Sequence, residues 1–277
     1  MDLTPEVKDA VWSALNNLAS APAEQRTLTG FSVLLQSNRL RQALQPYTLN
    51  GPHGRLLDSD RDRLGIADVQ GFEMEALMQG KSAVLPVLLY LFHRLEERFD
   101  GAPTLLILDE AWVFLDDPLF SSRVREWLKT LRKKNVSVVF ATQSLADIQR
   151  SPIAPALIES CPSRIFLPSP QATEPQLKVI YEGFGLNDRQ IELIARAQPK
   201  REYYYQSRVG NRLFELGLGP VALAFVSAAT PEHQREMNTI LEQCSAHTFP
   251  VVWLKHQGLE WAAELAERFS QPEETSP

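Results

Sequence analysis

From Leu105 to Leu108 four apolar residues run without interruption and stop at two carboxylates, Asp109 and Glu110. An apolar run with no polar alternation fits a strand buried on both faces, as in parallel α/β sheets. The acids then stand at the strand's carboxyl end, where open α/β sheets bind ligands. Val136 to Thr142 repeats the pattern and ends in Gln143 and Ser144, and Arg123 to Lys134 between them reads as helix. Arg164 to Leu167 is expected as a third strand. Strands alternating with helices imply a parallel sheet with right-handed crossovers.

The flanks are mostly helical. Thr4 offers an N-cap before Pro5, with Val7, Val11, Leu15 and Leu18 at helical spacing. Leu28 to Leu49 reads as a second helical region, residues 66–69 as a short strand, and Pro86 to Phe99 as a long amphipathic helix. After helices between Pro175 and Ala197, Tyr203 to Val226 reads as a hairpin turning near Gly210 and Asn211. Helices near Pro231 to Cys244 and Gly258 to Phe269 precede a polar tail.

In a P-loop ATPase the first acid of such a strand end holds the Mg²⁺ that bridges the phosphates, and the second serves as general base toward water. The plain alternative is that Asp109 and Glu110 merely end a strand or cap a helix. Gln143, at the end of the next strand, would point at the γ-phosphate and orient the water. Its plain alternative is a neutral strand end before a helix capped by Ser144. Arg132 sits in a basic run with Lys133 and Lys134. Such a run is a solvated helix face, an arginine finger toward a neighbouring subunit's nucleotide, or a DNA-backbone contact.

Gly80-Lys81-Ser82 imitates a phosphate loop and fails the test. The position that should hold the first glycine is Glu75, the preceding Phe72 to Met78 is acidic and helix-prone, and Pro86 follows too soon for a well-formed phosphate-binding helix. The 277 residues hold no other glycine-rich loop with lysine. Backbone N–H groups and that lysine normally supply most of the grip on a triphosphate. The chain by itself is expected to bind ATP poorly and to be inactive.

Net charge −6 argues against a nucleic-acid-coating protein. Cys161 and Cys244 lack metal or disulfide spacing. With no apolar run of membrane-spanning length and no signal-like start, the chain is expected in the cytoplasm unless a partner holds it at a membrane.

Taken together, Leu108-Asp109-Glu110-Ala111-Trp112, Leu131-Arg132-Lys133-Lys134-Asn135 and Ala141-Thr142-Gln143-Ser144 resemble the carboxy-terminal region of the TrbE/CagE family of conjugal-transfer ATPases. Gly54-Arg55-Leu56-Leu57-Asp58, Gly71-Phe72-Glu73 and Ala222-Leu223-Ala224-Phe225-Val226 extend the likeness. The resemblance implies an α/β, RecA-like P-loop NTPase core, here incomplete because the Walker A strand and loop lie upstream of Met1. It implies a helical segment over 1–60, the ATPase core with its hairpin over 61–230, and carboxy-terminal helices over 231–277. ATP and Mg²⁺ are the implied cofactors, with Asp109 as the magnesium acid, Glu110 as the base, Gln143 as the γ-phosphate sensor and Arg132 as a weaker carry-over. Implied partners are other type IV secretion subunits and further copies of the full-length protein in a hexamer, with no direct DNA binding. The implied place is the cytoplasmic face of the bacterial inner membrane, powering conjugative DNA transfer and pilus assembly. A non-catalytic assembly subunit and a DNA-translocating motor of the HerA/FtsK kind are the alternatives.

Overall fold

A computed structural model describes residues 4–270 except 63, 66, 76, 78, 79, 111–116 and 229. The chain divides into two compact units, Met1–Ser160 and Cys161–Pro277.

In the first unit, helix α1 (Pro5–Ala19) starts where Thr4 accepts a hydrogen bond from the Val7 N–H, with Pro5 in the first turn. Leu28 to Leu49 is broken into α2 (Leu28–Leu34) and α3 (Asn38–Leu44), each opened by its own hydroxyl cap, Thr27 and Ser37. Ala14, Phe31, Leu35 and Leu40 form a small core among these helices. The short α4 (Gly54–Leu57) follows. Ile66 lies outside the described residues, and residues 67–69 form no strand.

Helix α5 runs Lys81–Glu97 and carries Pro86 inside it, so the expected start at Pro86 is corrected to one turn and more earlier. A proline removes the N–H that would bond to the carbonyl four residues back. That carbonyl belongs to Ser82, and the Tyr47 hydroxyl donates to it at 2.8 Å. The helix tolerates Pro86 because another part of the chain supplies the missing donor.

Strands β1 (Thr104–Leu108) and β2 (Val136–Phe140) pair in parallel, Thr104 opposite Val136 through Leu108 opposite Phe140. Helix α6 (Pro118–Thr130), capped by Asp117, makes the crossover. One sheet face packs on the main core, where Leu108 and Val136 meet Phe92 of α5, Phe99 just beyond that helix, and Phe120, Val124 and Trp127 of α6. Leu157 of α8 (Ala154–Ser160), which follows α7 (Leu145–Arg150), joins them. Phe92 stands edge-on to Phe120 at 4.7 Å. The opposite face is bare: Leu105 is 61%, Ile107 60% and Val139 45% exposed. Burial on both faces, expected from the unbroken apolar runs, is therefore corrected to burial on one.

The second unit corrects another expectation. Strand β3 (Arg164–Phe166) does not join the parallel sheet; it pairs antiparallel with β4 (Glu202–Ser207), which pairs with β5 (Gly210–Glu215). The hairpin turns over Arg208 and Val209, helped by Gly210 at φ 145° and by the Asn211 side chain, which accepts from the Ser207 N–H at 3.2 Å. Helices α9 (Pro175–Gly183) and α10 (Asp188–Arg196) accompany this sheet, α10 opened by a reciprocal Asn187–Gln190 capping box. The stretch expected as the hairpin's end is helix α11 (Pro220–Val226). Helices α12 (Pro231–Gln243), α13 (Phe249–His256) and α14 (Glu260–Ser270) follow. The buried Trp253 indole donates to the Ala224 carbonyl at 2.9 Å, pinning α13 to α11.

Candidate functional site

Parallel pairing places the carboxyl ends of β1 and β2 side by side, and the Ala141 N–H donating to the Leu108 carbonyl at 3.0 Å carries the ladder one step past the strands. Asp109 and Glu110 thus emerge next to Ala141, Thr142 and Gln143. Glu110 turns the chain sharply out of the strand in a left-handed conformation, φ 52°. A non-glycine residue held there costs on the order of 1 kcal/mol, and such residues gather at functional positions. Its N–H donates to Asp109 Oδ1 at 3.1 Å, bracing the turn.

Gln143 Nε2 donates to Glu110 Oε1. Glutamine and glutamate, 33 positions apart, therefore touch. The loop that carries Gln143 is braced by its neighbours: the Ser144 N–H donates to Thr142 Oγ1 at 3.2 Å, and that hydroxyl donates to the Ser144 carbonyl at 3.3 Å. Ser144 also caps α7, accepting from the Asp147 N–H at 3.4 Å. Sequence reasoning missed Thr142; the signal was two hydroxyls flanking a glutamine just before a helix, a pattern suited to side-chain-to-backbone loop bonds. Asp109 and Gln143 are exposed and Glu110 is half-buried, so the strand end is open to solvent. Ala111 and Trp112 lie outside the described residues.

Arg132 is not part of this constellation. It is exposed on the single 3₁₀ turn Leu131–Lys134 that enters β2. That is the amino end of the strand, and at about 3.3 Å per residue the five-residue strand alone separates it from the acids by roughly 16 Å. An arginine side chain cannot span that to its own chain's Glu110.

Gly80-Lys81-Ser82 forms the start of α5, a better-formed helix entry than the position of Pro86 suggested. Among the described residues no strand leads into it, and residues 71–74 are irregular. The Ser82 hydroxyl is engaged by His53 Nε2 at 2.8 Å, and its carbonyl by Tyr47.

The donor set has a definite chemistry. Among the described residues no cluster of three or more His, Cys, Asp or Glu side chains could hold a metal ion. Asp109 offers one hard-oxygen ligand at an open strand end. That does not fit a metal caged by protein; it fits Mg²⁺, which keeps several waters and takes one or two carboxylates plus substrate phosphates. Two carboxylates and an amide supply no positive charge, so they cannot grip a triphosphate by themselves.

A single strand end of this kind is generic; two, in parallel and in contact, are what a P-loop-class α/β sheet presents at its ligand-binding edge. The sequence model of the TraG P-loop domain family matches residues 33–210, and the chain belongs to that family. It is 45% identical over 264 residues to a probable conjugal transfer protein TrbE of Sinorhizobium fredii, covering 95% of this chain and 39% of that protein. It is 44% identical to the conjugal transfer protein TrbE of Rhizobium radiobacter, covering 95% of this chain and 32% of that one. The type IV secretion system protein virB4 of Bartonella henselae is 29% identical over 259 residues, 91% of this chain and 32% of its own length. The chain thus spans 32–39% of the length of these curated relatives. The solved VirB4 structure from Thermoanaerobacter pseudethanolicus shares the fold, with TM-score 0.60 at 20% identity over 79% of this chain and 66% of that one.

Proposed function

We propose that this chain is the portion of a conjugal-transfer ATPase of type IV secretion that supplies the acid pair and the γ-phosphate sensor, and that the phosphate cradle comes from outside these 277 residues. The observation that carries the reading is the contact between Gln143 and Glu110 across two parallel strand ends. The 44–45% identity to TrbE proteins supports placing that site in a conjugal-transfer machine.

In this reading Glu110 accepts a proton from water as the water oxygen attacks the γ-phosphorus and ADP departs. Gln143 would meet the γ-phosphate with its amide and line up the water. Asp109 would hold Mg²⁺ through its outward carboxylate. When bound, that ion would offset charge on the transferring phosphoryl group. Arg132, at the far end of the sheet, serves only a site on another copy of the chain, in the hexamer that the reading expects. Other type IV secretion subunits would hold the assembly at the cytoplasmic face of the inner membrane. Among the described residues no helix is long and apolar enough to cross a membrane.

The test joins this chain to the segment of the same transfer system that carries Gly-x-x-x-x-Gly-Lys-Ser/Thr. ATP turnover should appear only in the combination, and Glu110→Gln should lower kcat by about 10²-fold or more while nucleotide binding persists. Unchanged turnover in Glu110→Gln removes Glu110 from the chemistry.

A further inference from the structure

The β3–β4–β5 sheet of the second unit has two unlike faces. Phe166 and Tyr204, opposite each other in the register, are both buried, and the Phe166 ring meets Tyr181 of α9 at 6.0 Å and Phe184 just beyond that helix at 6.4 Å. Side chains alternate along a strand, so the other face carries Tyr203 opposite Phe214, Arg212 opposite Tyr205, and Ile165 on the far side of Tyr205. The Tyr203 and Phe214 rings lie 5.7 Å apart at 32°, and the Tyr205 phenol is held by the Ser163 hydroxyl at 3.3 Å. The three rings are half-buried, while Ile165 and Arg212 are exposed.

The charge on this face has one sign. Arg212 stands across from Tyr205, and Arg208 is exposed at the hairpin turn where the face ends; among the described residues neither has an ion-pair partner. The two acids of the ladder, Glu202 and Glu215, fall on the opposite face by the same alternation and are engaged: Glu202 accepts from the Gln198 N–H at 2.7 Å, and Glu215 from Arg201 at 2.6 Å. An apolar protein surface laid on the rings would bury the Arg212 guanidinium without a counter-charge, which is strongly unfavourable. A chain of bases and phosphates satisfies both kinds of group, since every base offers a π face to an aromatic ring and every phosphate an anion to arginine. A duplex keeps its bases stacked on one another, so the matching form is single-stranded.

We propose that the open face of the β3–β4–β5 sheet binds single-stranded nucleic acid, with bases stacked on Tyr203, Phe214 and Tyr205 and phosphates held by Arg212 and Arg208. The net charge of −6 opposes coating of nucleic acid by the surface as a whole, but none of that negative charge belongs to this face. The site is independent of the roles assigned to Glu110 and Gln143.

Fluorescence anisotropy tests it, with the full chain titrated at low salt into a labelled thymidine strand about 12 nucleotides long, within the footprint of known stacking platforms. Binding should weaken about five- to hundredfold in Tyr205→Leu and in Phe214→Leu, the worth of one stacked base. Tyr205→Phe keeps the ring and should bind as the wild type does, which separates lost stacking from lost folding. Arg212→Gln should lower the slope of log K against log salt by about 0.7, the release of one phosphate contact. A uridine strand of the same length tells RNA from DNA, and binding of either supports the site. Failure to bind either strand overturns it and leaves the face to a protein partner. Equal binding of an abasic strand or of a duplex, or equal loss in Tyr205→Phe and Tyr205→Leu, also overturns it.

Discussion

Pro86 shows how a residue that breaks a local rule is accommodated from a distance. At the sixth position of α5 it strips the Ser82 carbonyl of its helical partner, and the Tyr47 hydroxyl, 35 residues away, replaces it. Tyr47 also stacks on His53 at 5.9 Å, and His53 holds the Ser82 side chain. Tyr47→Phe should therefore destabilise the first unit by about 1 kcal/mol, the net worth of one hydrogen bond. In a Pro86→Ala background the restored N–H bonds to Ser82 itself, and the same substitution should cost close to nothing. Urea titration of the four proteins in this cycle checks it, and an equal cost in both backgrounds would show that the Tyr47 hydroxyl does not compensate for Pro86.

Among the elements, the β1–β2 pair is the one most out of balance. Its covered face carries Leu108 and Val136 into an aromatic core, while Leu105, Ile107 and Val139 face outward, and among the described residues no further strand pairs either edge. Open edges and exposed apolar faces invite association with another chain. The isolated chain should therefore self-associate at micromolar concentration. The double substitution Ile107→Lys with Val139→Lys should disperse it in light scattering, because charges on an exposed face cost little, each within about 0.5 kcal/mol. The same pair should abolish complementation by the phosphate-loop segment if that segment covers this face. A wild-type chain that is monodisperse, or lysines without effect on scattering, would show that the bare face is not what drives association.

The whole molecule consists of two units with separate cores. In the second, Trp253 is fully buried, stacks with Phe249 and with His256, and donates its indole N–H to the Ala224 carbonyl. Trp253→Phe leaves that buried acceptor unpaired, a cost of about 1–3 kcal/mol. Calorimetry should show two transitions, with the one assigned to residues 161–277 lowered by about 4–8 °C per kcal/mol and the other unmoved. A single transition that shifts as a whole would mean that the units unfold together.

Much of the site was legible in the sequence because its signals are local. An apolar run that ends in Asp109-Glu110, a second that ends in Gln143, and the caps at Thr4 and Ser144 each need only neighbouring residues to be read. That Gly80-Lys81-Ser82 lacks the first glycine of a phosphate loop was legible too, since that motif is a matter of spacing. What the sequence left open was decided by partners remote along the chain. An apolar strand declares that it needs cover, yet nothing in Leu105 or Ile107 says whether the same 277 residues provide it. Arg164–Phe166 reads as a strand, but its antiparallel pairing with Glu202–Ser207 follows from which strand lies beside it. The left-handed turn at Glu110, and the hydrogen bond from Gln143 that meets it, exist only once two parallel strands in register bring their ends together.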